Sequence, residues 1–235
     1  MDGDIRFSTF KRDVNLTMVE ICREIFRNNS GGIKIQKEEV AVRSLAKILE
    51  AALRLCNRKG FASMSLRDLS RESGVSLGAM YSYFSSKDDL LRLMQGHGRS
   101  VIVRILEGVI SGIDDPWIRL RRSIQAHLYA SEVLQPWFYL SYMETRNFPA
   151  DEFKKALESE LYTERMFVDI IMDGQSRGLF RPADAELLGS AIKSMLQDWY
   201  LKRWKYTARK VSVEDYGNFI DRKSTRLNSS HTDIS

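Results

Sequence analysis

Residues 65–90 read SLRDLSRESGVSLGAMYSYFSSKDDL, and this stretch decides the fold. Ser65 with Asp68 three positions later is the pattern of a helix N-cap, because the hydroxyl and the carboxylate bind free N–H groups at the start of the helix. Gly74 tolerates the positive φ at which many helices end, and Ser76 supplies a second N-cap two residues later. The stretch therefore predicts two short helices joined by a tight turn.

These caps set the expected limits of the helices. The first runs from Leu66 to Ser73 and the second from Leu77 to Phe84. A third capping pair, Ser86 and Asp89, begins a long helix at Lys87. Two short helices in this arrangement form a helix-turn-helix, whose second helix typically enters the major groove of DNA.

The motif belongs to a longer pattern between Glu38 and Gln95. The pattern begins with a long apolar helix. Glycine, aromatic, aliphatic and lysine residues then follow at fixed spacing, and these are Gly60, Gly74, Val75, Gly78, Tyr81, Tyr83, Phe84, Lys87 and Leu90. In this pattern the chain resembles the tetracycline-repressor (TetR) family of bacterial regulators. The resemblance implies a sequence-specific transcriptional regulator, most often a ligand-responsive repressor, that binds double-stranded operator DNA.

The resemblance also implies which residues contact DNA. Helix N-termini and their hydroxyls suit phosphates, as do tyrosine hydroxyls and a lysine charge, while the first turn of the second helix suits base edges. The implied DNA-binding residues are Ser65, Ser76, Leu77, Gly78, Ala79, Tyr81, Ser82, Tyr83 and Lys87. Many family members have Lys, Arg or Thr where this chain has Leu77. We therefore expect thymine-methyl contacts and DNA shape to contribute more here.

The remainder of the chain is typical of an all-α fold, since Pro and Gly separate helical patterns and no strand periodicity occurs. Besides a helix over 37–59, we expect helices near 87–111, 116–133, 136–147, 150–177, 184–207 and 212–220. The resemblance makes 37–86 the helix-turn-helix DNA-binding domain. It makes 87–220 a helical domain for effector binding and dimerisation.

A homodimer and a small organic effector follow from the same resemblance. A two-fold dimer places two recognition helices one DNA turn apart on a palindromic operator. Effector pockets are mostly apolar with a few polar groups, and the aromatic residues of this region suit an effector with an apolar or aromatic body, although most of them would suit a core equally well. The candidate effector-binding residues are His127, Trp137, Tyr142, Met143, Glu144 and Phe167.

The two ends of the chain lie outside the resemblance. In the N-terminal extension, 1–36, apolar residues at helical spacing predict a helix over 13–28. We favour packing of this helix on its own domain or on a partner subunit. The alternative is a basic arm that touches DNA. Its cations would be Arg6, Lys11, Arg12, Lys34 and Lys37. The abruptly polar tail, 221–235, looks vector-derived and is expected to lie outside the fold.

A pair of glycines, Gly96 and Gly98, interrupts the helix that begins at Lys87. Each glycine weakens a helix by about 1 kcal/mol relative to alanine. We therefore expect a hinge here that transmits effector binding to the recognition helices.

Composition argues against several other classes of protein. The net charge of +5 is modest, and residues 1–96 hold 16 Lys and Arg against 12 Asp and Glu, so the basic excess lies with the helix-turn-helix. No apolar run long enough for a membrane span and no signal peptide are present, which predicts a cytoplasmic protein. Cys22 and Cys56 suit buried free thiols. The sequence offers no metal-ligand spacing, cofactor motif or nucleophile–base pair, so we expect no metal, no cofactor and no enzyme. A helical protein-interaction module that has lost DNA binding is the remaining alternative.

Overall fold

The structure is a computed structural model that describes residues 5–29 and 33–228. Within these ranges the chain is helical and contains no strand, so the all-α prediction is confirmed. A short 3-10 turn, Thr145–Asn147, follows the eighth α-helix. The α-helices are α1 (Phe7–Val14), α2 (Met18–Asn28), α3 (Glu38–Lys59), α4 (Leu66–Ser73), α5 (Leu77–Met80), α6 (Lys87–Ile110), α7 (Pro116–Val133), α8 (Gln135–Met143), α9 (Ala150–Ser176), α10 (Ala185–Leu201), α11 (Arg203–Ala208) and α12 (Val213–Asn228).

Two compact units are built from segments that are not contiguous in sequence. The first, here called the head, comprises Asn15–Val101 and Pro136–Leu157. The second, here called the body, comprises the described residues of Met1–Val14, Ile102–Gln135 and Glu158–Ser235. The division into sequential functional domains, with boundaries at 36/37 and 86/87, stays a prediction.

In the head, α3 is the central helix. Its residues Leu45 and Leu49 are fully buried, and α2 packs along it with Ile25 fully buried. Arg27 at the end of α2 also forms an ion pair of 2.9 Å with Glu38 at the start of α3. The favoured hypothesis, that the helix of the N-terminal extension packs on its own domain, is therefore confirmed for α2.

In the body, α7 packs against α1, α10 and α12. The rings of Phe7 and Phe10 on α1 lie 5.3 and 5.6 Å from that of Tyr129 on α7. The single helix predicted over 13–28 is thus two helices, and the first of them belongs to the body. Asn15 between them has a φ of 46°, which helps to end α1.

The end of the chain differs from the prediction. The last helix, expected to stop at 220, continues to Asn228. Asp221 and Ser224 are buried in the body, and Arg121 lies 3.4 Å from the Asp221 carboxylate. These polar side chains fall at helical spacing on the buried face of α12, which composition does not reveal. The vector origin of the tail stays a prediction, and residues 229–235 lie outside the described ranges.

Helix α6 runs without interruption through its glycines. Gly98 has a packing reason, since a Cβ there would lie 2.7 Å from Nε1 of Trp137. The expected hinge is therefore not visible as a break in the helix. Gly98 instead permits the close approach of an indole ring.

Candidate DNA-binding and effector sites

The start of α4 is fixed by a reciprocal cap. The Ser65 hydroxyl accepts a hydrogen bond from the Asp68 N–H at 3.2 Å, and the Asp68 carboxylate accepts one from the Ser65 N–H at 3.1 Å. Lys59, the last residue of α3, donates to the same carboxylate at 2.7 Å. This Lys59 contact and the Ser65 hydrogen bonds hold the pKa of Asp68 well below its usual range. The cap thereby ties the beginning of α4 to the end of α3.

The turn between α4 and α5 is equally constrained. Gly74 has a φ of 69°, a left-handed conformation that glycine adopts without strain. The Ser70 hydroxyl donates to the Val75 carbonyl at 2.8 Å, and the Ser76 hydroxyl accepts from the Ala79 N–H at 3.2 Å. The conformation of Gly74 and the hydrogen bonds of Ser70 and Ser76 together define where α5 begins.

α5 exposes its first turn and buries its last residue. Gly78 and Ala79 are exposed, Leu77 is half-buried and Met80 is fully buried. Apart from its chain neighbours and the nearby backbone of its own helix, no described atom lies within 4 Å of a Cβ built on Gly78. The surface formed by 77–79 is thus open to a large partner.

The predicted phosphate contacts divide into two groups. Ser65, Ser76 and Tyr81 are exposed at the same motif, and Ser82 is half-buried. Tyr83 is only 5% exposed. Burial raises the pKa of Tyr83, while the adjacent Ser44 hydroxyl lowers it.

Lys87 is also held within the head. Its ammonium group donates to the Ala62 carbonyl at 2.9 Å and lies 4.9 Å from the centre of the Phe61 ring. DNA contact by Lys87 and Tyr83 stays a prediction, which would require both side chains to move. α5 is a single turn, Leu77–Met80, and is shorter than the predicted helix over 77–84. The chain leaves the helix after Met80, and Tyr83 and Phe84 are buried in the core.

Four of the six candidate effector residues belong to the head. Glu144 accepts a hydrogen bond from the Phe61 N–H at 3.1 Å, directly before the helix-turn-helix. Trp137 is buried against Gly98, whereas Tyr142 and Met143 are exposed. The other two candidates belong to the body.

The remaining two candidates, His127 and Phe167, lie together in the body with ring centres 6.4 Å apart. Beside them is a buried lysine that the sequence analysis missed. The Lys193 ammonium donates to Thr163 at 2.6 Å and lies 3.1 Å from Nε2 of His127. It also lies 3.5 Å from the Glu160 carboxylate.

Burial controls the charge of this polar cluster. Burial lowers the pKa of His127, and the neighbouring Lys193 charge lowers it further. Burial also lowers the pKa of Lys193, which Glu160 partly opposes. A neutral His127 accepts a hydrogen bond from the Lys193 ammonium through Nε2. A sequence signal existed, because Gly189, Lys193 and Leu196 follow the spacing of one helix face.

Both cysteines are buried free thiols, as predicted. Burial raises the pKa of Cys22 and of Cys56 to about 12. In the described ranges, no helix has both the length and the hydropathy of a membrane span.

Two family models match the chain. One, described as bacterial regulatory proteins of the tetR family, matches residues 48–94, and one for a tetracyclin repressor-like C-terminal domain matches residues 114–211. The chain belongs to the TetR family. A TetR-family protein is a transcriptional regulator that binds DNA, so the predicted family, fold class and general function are confirmed.

Relatives of this TetR-family chain are also described as regulators. It is 28% identical over 169 residues to the HTH-type transcriptional regulator HbdR of Aromatoleum sp. (strain CIB), covering 72% of this chain and 73% of that protein. A tetR-family regulatory protein from Rhodococcus RHA1 matches with a TM-score of 0.72 and 20% identity, covering 80% of this chain and 98% of that one. AibR, in complex with isovaleryl coenzyme A and operator DNA, matches with a TM-score of 0.63 and 17% identity, covering 77% and 97%. At such identities the two structures show the shared fold.

Proposed function

We propose that this regulator is a cytoplasmic repressor, without enzymatic activity, that binds a near-palindromic operator as a homodimer and dissociates when a small organic effector enters the body. The observation that carries the proposal is the doubly capped turn of the head. It holds Gly78 and Ala79 exposed, with the half-buried Leu77 beside them, at the start of a capped helix, as insertion into a major groove requires.

Each motif residue then has a distinct role. Ser65, Ser76 and Tyr81 bind phosphates and set the orientation of the head, because phosphate contacts position a protein without reading sequence. Leu77 and Ala79 contact base edges, where apolar side chains favour the methyl group of thymine. The loss of a phosphate contact should weaken binding to all duplexes, whereas a change at Leu77 should alter sequence preference.

For the effector, the polar cluster of the body is the best-supported anchor. An ammonium group with hydroxyl and imidazole partners suits a carbonyl or carboxylate oxygen, and Phe167 beside it suits an apolar body. AibR was crystallised with isovaleryl coenzyme A and operator DNA. We therefore propose an acyl compound as the effector, with its acyl oxygen directed at Lys193.

The experiment combines both activities. Electrophoretic retardation uses a labelled duplex from immediately upstream of the coding sequence, without and with isovaleryl coenzyme A and a series of longer acyl thioesters. We expect retardation by the wild type and by Lys193→Met, and release by an acyl thioester for the wild type alone. Lys223→Met, a change at an exposed lysine on α12, should respond as the wild type does.

Three results would contradict the proposal. No retardation even in dilute buffer would exclude the DNA-binding role. Retardation without release by any thioester, or equal release from Lys193→Met, would exclude the proposed effector chemistry while leaving DNA binding intact.

A further inference from the structure

The cations between residues 15 and 101 of the head differ in whether a carboxylate pairs with them. One group is neutralised by carboxylates, for example Arg58 with Glu72 at 3.1 Å. Lys87 is occupied by backbone carbonyls instead. The cations of 15–101 that form ion pairs with carboxylates are Arg23, Arg27, Arg54, Arg58, Lys59, Arg71, Arg92 and Arg99.

The second group lies immediately before the residues that the tetR model matches. Lys34, Lys37, Arg43 and Lys47 are exposed, and no carboxylate of the described residues lies within ion-pair distance of them. We call these four residues the basic strip. Within the described part of 15–101, Arg67 of the helix-turn-helix is the other exposed cation of this kind.

The basic strip contacts the residues that directly follow α5. The Lys34 N–H donates to the Ser82 carbonyl at 2.9 Å, and the preceding Ile33 is buried, so the backbone is anchored there. Along α3, positions 37, 44 and 47 follow one helix face, and Ser44 on that face adjoins Tyr83. The strip is therefore continuous with the recognition segment.

Arginines of helix α2 neutralise the carboxylates that lie next to the basic strip. Glu38 and Glu39 begin α3, next to Lys37, and would weaken its attraction for an anion. Arg23 approaches both carboxylates at 3.5 Å, and Arg27 binds Glu38. These ion pairs leave the positive charge of the strip uncompensated, which is what a phosphate-binding surface needs.

We propose that the basic strip binds the phosphate backbone of the duplex whose major groove α5 enters. This inference rests on the proposed DNA-binding function and adds a second contact surface to it. The ten residue steps from Lys37 to Lys47 span about 15 Å at the helical rise. One strand of B-DNA carries a charge about every 3.4 Å along the axis, so the strip matches several phosphates.

The test measures how binding depends on salt. Fluorescence anisotropy of a labelled random-sequence duplex of about 40 base pairs suffices, because phosphate contacts do not depend on sequence. For Lys34→Ala/Lys37→Ala we expect the slope of log affinity against log salt to fall in magnitude by about 1.8, with at least about tenfold weaker binding near 0.1 M salt. Lys34→Arg/Lys37→Arg should retain the wild-type slope.

The matched control removes two charges from the same N-terminal extension. Arg6, directly before α1, and Lys11 on α1 are exposed and belong to the body. Arg6→Ala/Lys11→Ala should leave the slope unchanged. An unchanged slope for Lys34→Ala/Lys37→Ala would overturn the inference, as would equal losses in both double variants, which would indicate net charge alone. A wild type that binds no duplex at low salt would instead overturn the proposed function.

Discussion

Ser65 contributes to stability independently of any DNA contact, because its hydroxyl and its N–H both take part in the cap of α4. We expect Ser65→Ala to lower the free energy of unfolding by about 1 kcal/mol. Urea unfolding of the DNA-free protein measures this. Ser63→Ala is the control, since Ser63 is exposed two residues earlier and caps no helix. Equal stabilities of Ser65→Ala and Ser63→Ala would contradict the capping role.

The same cap should make stability depend on pH. The pKa of Asp68 is depressed in the folded state, first by Lys59 and then by Ser65. A depressed carboxyl pKa stabilises the fold above the unfolded-state value, near 3.8, and this contribution disappears as the pH falls through the folded pKa. The stability difference between the wild type and Asp68→Asn should therefore be constant above roughly pH 5 and shrink below 3.8.

Urea unfolding of both proteins between about pH 2 and pH 7 measures this difference. A difference that stays constant across the acid range would show that the charge of Asp68 does not strengthen the cap. In that case the hydrogen bonds of the Asp68 side chain, and not its ionisation, would account for its part in the cap.

Helix α6 contains two glycines that should respond oppositely to alanine. Gly96 is half-buried, and a Cβ there meets only the flexible end of Arg99 at 3.8 Å, so Gly96→Ala should stabilise the protein by about 0.5–1 kcal/mol. Gly98→Ala should destabilise it by about 1–3 kcal/mol, because its Cβ would overlap Trp137. The midpoint of urea unfolding, measured for each variant, shows whether its stability rises or falls. If both variants were stabilised, the contact with Trp137 would be too weak to explain Gly98.

Local signals in the sequence predicted the helices well, whereas burial by distant elements remained hidden. Ser65, Gly74 and Ser76 define α4 and α5 through contacts within a few residues, so capping rules located them. The placement of Tyr83 and Lys193 depends on the helices that pack over them. For the same reason, no local pattern indicated that α12 continues past 220 or that candidate effector residues are divided between head and body.

The body has exposed apolar side chains that its described residues do not cover. Helices α9 and α10 run side by side, since Arg165 pairs with Glu186 at 2.7 Å. Leu161 on α9 and Leu187 on α10 are 64% and 70% exposed. We propose that these two leucines belong to the dimer interface, because a two-fold axis would pair the surface with its own copy and remove them from water.

A charge on this surface should separate the subunits. Leu161→Glu would place two carboxylates in a self-complementary interface, and we expect the dimer dissociation constant to rise by about a hundredfold or more. Sedimentation velocity measures the change. Operator affinity should fall in parallel although the head is unaltered, because a single recognition helix contacts only one half-site. Phe219→Glu alters an equally apolar, 45% exposed side chain on α12 and should remain dimeric. A dimeric Leu161→Glu, or dissociation of both variants, would place the interface elsewhere.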